Sequence, residues 1–170
     1  MKPGLLVLDV QKDFFEGDNP NLAEFLRVVP NINLAITEFR KHGFPIVFIQ
    51  HTSPNKKQGT PAWEIYHEID RTPSDSCILK SFSNAFWRSD LETLLRSLDV
   101  DHVVTTGFSS EYCVLSTYRG AQERGFKAMI LQNAVASVDG NSRTQFVYEI
   151  SETLTHDELS EVLASFTARK

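Results

Sequence analysis

Three residues of this chain have side chains suited to acyl transfer: a carboxylate, an ammonium and a thiol. Asp9 closes the apolar run Leu5–Leu8, Lys80 closes Ile78-Leu79, and Cys113 follows the loop Gly107–Tyr112 where a helical stretch begins. A thiol becomes a strong nucleophile once it loses its proton. An adjacent carboxylate can take that proton and hand it to a leaving group. A nearby ammonium and the positive end of a helix dipole both favour thiolate. Backbone N–H groups at such a helix start can bind an oxyanion. Taken singly, each residue has a plainer reading: a strand-end cap, a solvated lysine, a small core cysteine. Their joint placement on one sheet edge is what points to catalysis.

The elements that must position them alternate along the chain. Gly4–Val10, Pro45–Gln50, Cys77–Lys80, His102–Thr106 and Lys127–Leu131 are short apolar runs that read as strands, with Thr153-Leu154 as a last one. Gly107 reads as the stop of the fourth, and Cys77 as inert packing in a buried strand. Leu22, Phe25, Leu26, Val29, Ile32, Ile36 and Phe39 recur at spacings of three and four, one face of a helix. Pro30 inside that stretch predicts a kink or a restart. Arg40-Lys41-His42-Gly43 is a helix stop, with His42 as a last-turn cation. Further helices are expected from about Cys113 to Arg124 and from Ser142 to about Ile150. Ser89–Glu92 and Thr155–Glu158 read as capping boxes, the second placing His156 in a first turn.

Apolar strands alternating with helices predict a three-layer α/β/α domain over residues 1–170, its parallel sheet buried on both faces. In such sheets ligands bind beyond the carboxyl ends of the strands, at the switch point of strand order. Residues 51–75 break the rhythm with Pro54, Gly59, Pro61 and Pro73, a connection long enough to serve as a functional lid.

Composition narrows the partners. The 170 residues are 41% hydrophobic and 23% charged, which excludes disorder for most of the chain. The net charge is −5, and Lys56-Lys57 is the longest basic run, so a nucleic-acid partner is not expected. No apolar stretch is long enough to span a membrane, and the N-terminus lacks a signal-peptide pattern. Two cysteines make no disulfide framework, which fits a cytoplasmic setting.

Four segments together resemble the isochorismatase-like cysteine hydrolases, a family that includes nicotinamidases, N-carbamoyl amidases and isochorismatases. They are Leu6–Phe14, Leu79–Phe86, Thr106–Val114 and, more weakly, Asn133–Ser137. The resemblance implies an Asp9–Lys80–Cys113 triad and a six-stranded, mostly parallel sheet ordered 3-2-1-4-5-6. It implies a cis peptide at Phe108–Ser109 and an oxyanion hole from the N–H groups of Ser109 and Cys113. Phe14, Phe82, Phe86 and Tyr112 would lie near the substrate, and the chain would form a homo-oligomer, a dimer or higher.

The departures shape the function. Nicotinamidases of this family carry Asp-x-His after the second strand and a later His, which bind a divalent metal. This chain reads Ile49-Gln50-His51-Thr52-Ser53 there. His51 and His67 without the carboxylate make a poor site, so His51 is expected as a pocket or loop residue and no metal or other cofactor is expected. Asn133 stands where many members have Asp. The expected activity is metal-independent hydrolysis of a small amide or carbamoyl compound through a thioester. Two rivals remain: vinyl-ether hydrolysis of the isochorismatase type, which needs no thiol, and a catalytically idle interaction module.

Overall fold

Strands that are apolar on both faces need cover on both faces, and among the described residues five α-helices supply it. The computed structural model describes residues 2–16 and 19–168. The strands are β1 (Lys2–Leu8), β2 (Ile46–His51), β3 (Ser76–Lys80), β4 (Val100–Phe108), β5 (Lys127–Ala136) and β6 (Thr153–Leu154). They form one sheet in the order β3-β2-β1-β4-β5-β6, and every pairing is parallel. The helices are α1 (Leu22–Lys41), α2 (Leu91–Ser97), α3 (Leu115–Glu123), α4 (Asn141–Glu149) and α5 (His156–Thr167).

The pleat of β1 sorts its side chains into two cores. Leu5 and Val7 pack with Phe25, Ile32 and Phe39 of α1 and with Leu159 and Leu163 of α5. Leu6 and Leu8 pack on the opposite face with Leu91 and Leu95 of α2, Tyr118 of α3 and Val147 of α4. Because β1 and β4 diverge to opposite neighbours, the switch point falls between them. Gly107 makes their close pairing possible: it has φ +102°, and a Cβ there would lie 2.0 Å from the Leu8 carbonyl oxygen.

Several local expectations are corrected. The strand β4 does not stop at Gly107 but runs through it to Phe108. Helix α1 passes through Pro30 as one element. Pro30 is exposed, so the hydrogen bond it removes faces water while seven buried side chains hold the inner face. The segment at Cys113 is not the first turn of an α-helix: Ser110–Val114 forms a π-helical turn, and α3 begins at Leu115. Strand β5 continues past Leu131 across an irregularity, with Ile130 opposite Thr105 and Val135 opposite Gly107. Asn133 takes up that irregularity at φ +62°, a conformation Asn tolerates, and its N–H donates to the Tyr148 hydroxyl at 2.9 Å.

Of the two capping boxes, only Thr155–Glu158 forms. At the other, Ser89 Oγ accepts the Leu91 N–H at 3.2 Å, while Glu92 is engaged by Arg96 and Arg124. Cys77 is exposed rather than buried, because β3 is the sheet edge and its pleat turns Cys77 and Leu79 outward. The 51–75 connection is fastened rather than loose. Gln11 bridges to Ile65, and the side chains of Gln11 and Gln50 both donate to the Trp63 carbonyl, at 2.8 and 3.0 Å.

Candidate active site

Asp9, Lys80 and Cys113 meet beyond the carboxyl ends of β1, β3 and β4. Asp9 follows β1 directly and sits in the left-handed region at φ +52°, its N–H donating to the Ile49 carbonyl at 2.8 Å. Lys80 is the last residue of β3, two strands away, roughly 10 Å at the usual strand spacing. The length of a lysine side chain closes that gap. Its Nζ lies 2.7 Å from Asp9 Oδ2 and donates to Cys113 Sγ at 3.1 Å. Lys80 and Asp9 are buried almost completely, at 2% and 1% exposure. Among the described residues Asp9 Oδ1 has no hydrogen-bond partner, so one carboxylate oxygen remains available for proton transfer.

The charge states follow from this enclosure. Burial works against the Lys80 charge, but the Asp9 carboxylate and the Cys113 sulfur outweigh it and hold the pKa above the ordinary lysine value. Burial, then the Asp9 carboxylate, pushes the Cys113 thiol up to about 12, with Lys80 pulling the other way. The pull of the ammonium towards thiolate is therefore outweighed by burial and by the Asp9 carboxylate. Both effects favour the thiol over the thiolate, so attack calls for a base. The Cys77 thiol is pushed up as well: the residue as a whole is exposed, but its sulfur donates to Oε1 of the buried Gln50 at 3.2 Å and is partly desolvated there.

A cavity of about 210 Å³ opens on Asp9 and Cys113, lined also by Phe14, His51, Lys56, Ser109, Tyr112 and Val138, while Lys80 lies buried behind the two. Phe14 and Tyr112, two of the four aromatic residues singled out in the sequence, are on its wall. Phe82 and Phe86 do not line it: Phe82 is exposed, and Phe86 is core, with its ring against Phe126 and the Arg124 guanidinium over it. The segment Asn84–Phe86 turns inward to meet α3, where the Ala85 N–H donates to Thr117 Oγ1 at 3.0 Å.

The Phe108–Ser109 peptide is cis. Behind it Glu111 accepts hydrogen bonds from the hydroxyls of Ser109 (2.9 Å), Ser110 (3.0 Å) and Ser137 (2.6 Å), tying the Ser109 loop to the end of β5. Sequence reasoning missed Glu111, Lys56 and Val138. An acid two residues before the cysteine was a signal available for Glu111. Lys56 and Val138 lie in connections whose path only the fold reveals. Lys56 is ion-paired with Asp13, and its ammonium lies 4.6 Å over the Phe14 ring.

The residues present do not fit a catalytic metal. His67 is exposed beside Tyr66, away from the cavity, while His51 Nδ1 faces the Lys80 ammonium at 3.3 Å. Among the described residues no three His, Cys, Asp or Glu side chains are grouped to hold an ion.

A doubly wound parallel sheet with a carboxylate, a lysine and a cysteine converging at its switch point defines a hydrolase of the isochorismatase-like fold. The isochorismatase domain profile matches residues 3–158, and the chain belongs to the isochorismatase family. It is 27% identical over 142 residues to the uncharacterized isochorismatase family protein YddQ of Bacillus subtilis, covering 81% of this chain and 79% of that one. It is 29% identical over 138 residues to a streptothricin hydrolase of Streptomyces noursei, covering 79% of this chain and half of the relative. The crystal structure of N-carbamoylsarcosine amidase from Thermoplasma acidophilum superposes with a TM-score of 0.81 over 92% of this chain and 98% of that one. At 24% identity that likeness shows the shared fold. Among the described residues no helix is long and apolar enough to cross a membrane.

Proposed function

We propose that the protein hydrolyses a C–N bond of a small amide or carbamoyl compound through a thioester on Cys113. The observation that carries this reading is the buried Lys80 ammonium, bridging Asp9 Oδ2 at 2.7 Å and Cys113 Sγ at 3.1 Å, two residues that line a cavity. Because burial and the Asp9 carboxylate raise the thiol's pKa, attack calls for a base, and Asp9 is the carboxylate in place to serve as one. Asp9 takes the Cys113 proton as sulfur attacks the carbonyl carbon. Lys80 balances the negative charge as it passes from the Asp9 carboxylate to the sulfur. The N–H groups of Ser109 and Cys113 receive the oxyanion. Collapse expels the amine, protonated from Asp9, and leaves the thioester. Asp9 then deprotonates a water, which displaces the thiolate to give the acid, and the thiolate recovers its proton.

The cavity, at about 210 Å³, is below the size usual for drug-like ligands, which favours a compact substrate. The chain's likeness to a streptothricin hydrolase and an N-carbamoylsarcosine amidase supports amide or carbamoyl chemistry. The test is an ammonia- and amine-release assay over a panel of small amides and carbamoyl compounds, with Cys113→Ala as control. Turnover lost in Cys113→Ala is the expected result. Undiminished amine release in that variant would overturn the thioester route, and no release from any member of the panel would favour the thiol-independent vinyl-ether reading, with Asp9 as the acid.

A further inference from the structure

An ammonium has three hydrogens, and the mechanism uses two of them. Lys80 Nζ lies 2.7 Å from Asp9 Oδ2, 3.1 Å from Cys113 Sγ and 3.3 Å from His51 Nδ1. We infer that His51 is a positioning residue of the triad: its neutral Nδ1 accepts the third hydrogen of Lys80, and protonating His51 releases the ammonium from Cys113. The inference rests on the Asp9–Lys80–Cys113 reading given above.

The contact is built into the sheet. His51 and Lys80 are register partners at the ends of β2 and β3, so their side chains leave the same face side by side. The His51 backbone is clamped from both directions by one side chain. Gln11 Oε1 accepts the His51 N–H at 2.9 Å, and Gln11 Nε2 donates to the His51 carbonyl at 3.1 Å. Gln11 is itself fully buried and held by the Trp63 carbonyl. Lysine can only donate, so Nδ1 must accept, which assigns the remaining imidazole proton to Nε2.

Protonation reverses that role. It puts a hydrogen on Nδ1 and sets two cations 3.3 Å apart, with the Lys80 charge the harder to remove because Asp9 anchors it. Burial and the Lys80 and Lys56 ammoniums lower the His51 pKa; the Asp9 and Asp13 carboxylates act in the opposite direction and do not prevail. The imidazole is therefore neutral at pH 7, and the loss falls below the ordinary histidine value near 6.5.

The test uses the full chain and iodoacetamide, with labelling of Cys113 followed by peptide mapping between pH 5 and 9. His51→Leu, which offers no acceptor, should label roughly tenfold more slowly at pH 8, the loss expected for one hydrogen bond to a charged group. His51→Asn, whose amide oxygen accepts without titrating, should recover most of the rate. The ratio of wild-type to His51→Asn rates cancels the thiol's own titration. It should be level above pH 6.5 and fall below it. A wild-type labelling rate in His51→Leu, or a ratio flat or rising towards acid, would overturn the inference. If His51→Leu does not fold, the His51→Asn ratio decides alone. Lys80→Ala separates the two readings: labelling there as fast as wild type would reject the triad itself, whatever His51 does.

Discussion

The triad and the wall of the cavity lie within one site yet are held by different means. Asp9 and Lys80 sit at strand ends, buried and fixed by the register of β1, β2 and β3, and Cys113 is held by a turn anchored on β4. The wall comes from connections: Phe14 from the Lys12–Phe14 turn, Lys56 from the 51–75 segment, Tyr112 and Val138 from loops after β4 and β5. The sheet therefore sets the chemistry, and the connections set what enters. Substitutions in the two regions should separate accordingly, the first acting on kcat and the second on KM.

The largest effect is expected from Lys80→Ala. It should abolish turnover and lower the melting temperature, since it strands the buried Asp9 carboxylate. Lys80→Arg should also fail, because a flat guanidinium fork does not replace a compact ammonium between three acceptors. Near-wild-type turnover in either variant would break the comparison. Asp9→Asn should slow kcat by the ~10²–10⁴-fold typical of a lost general base, with KM little changed. Steady-state kinetics on the best substrate of the amide panel measure both.

The wall should answer in KM. Lys56 is paired with Asp13, whose carboxyl is pushed above its usual range mainly by burial, so the two are best replaced together. Lys56→Met with Asp13→Asn should raise KM roughly tenfold, the loss of one charge-assisted contact, while kcat stays within about threefold. An equal fall in kcat would place Lys56 with the triad. Far from both regions, Thr155→Ala removes the cap of α5 and should cost about 1 kcal/mol, or about 2–4 °C in melting temperature, with kcat and KM unchanged. The Thr155 N–H and hydroxyl hold Glu158 below the usual carboxylate range. Its share of stability is therefore present above pH 4.5 and lost as pH falls through the lower folded value, so the gap between variant and wild type should narrow in acid.

The same division explains what could be read from the chain. The buried parallel sheet was legible because continuous apolar runs mark such strands, and the placing of Asp9, Lys80 and Cys113 on one edge because they follow those runs; the strand order came from the resemblance of the four motif segments. The thiol's charge state was not legible, since it depends on how far burial and Asp9 outweigh Lys80, which only the packed site shows. Phe82 and Phe86 were misjudged because adjacency to Lys80 in sequence says nothing of which way the chain turns after β3. Lys56 was missed because nothing in Pro54-Asn55-Lys56-Lys57 distinguishes a lysine folded over Phe14 from one in water. Asn133, unexplained in sequence, is accounted for by the backbone irregularity it occupies.

The central claim is that the Cys113 sulfur forms a covalent bond to substrate. Its most direct test is acid quench of the enzyme during turnover, followed by mass spectrometry of its peptides. The peptide holding Cys113 should gain the mass of the acyl portion, lose it on treatment with hydroxylamine, and show no adduct in Asp9→Asn at the same quench time. The Cys77 peptide should stay unmodified. Steady turnover with no adduct on Cys113, together with undiminished activity in Cys113→Ala, would contradict the account.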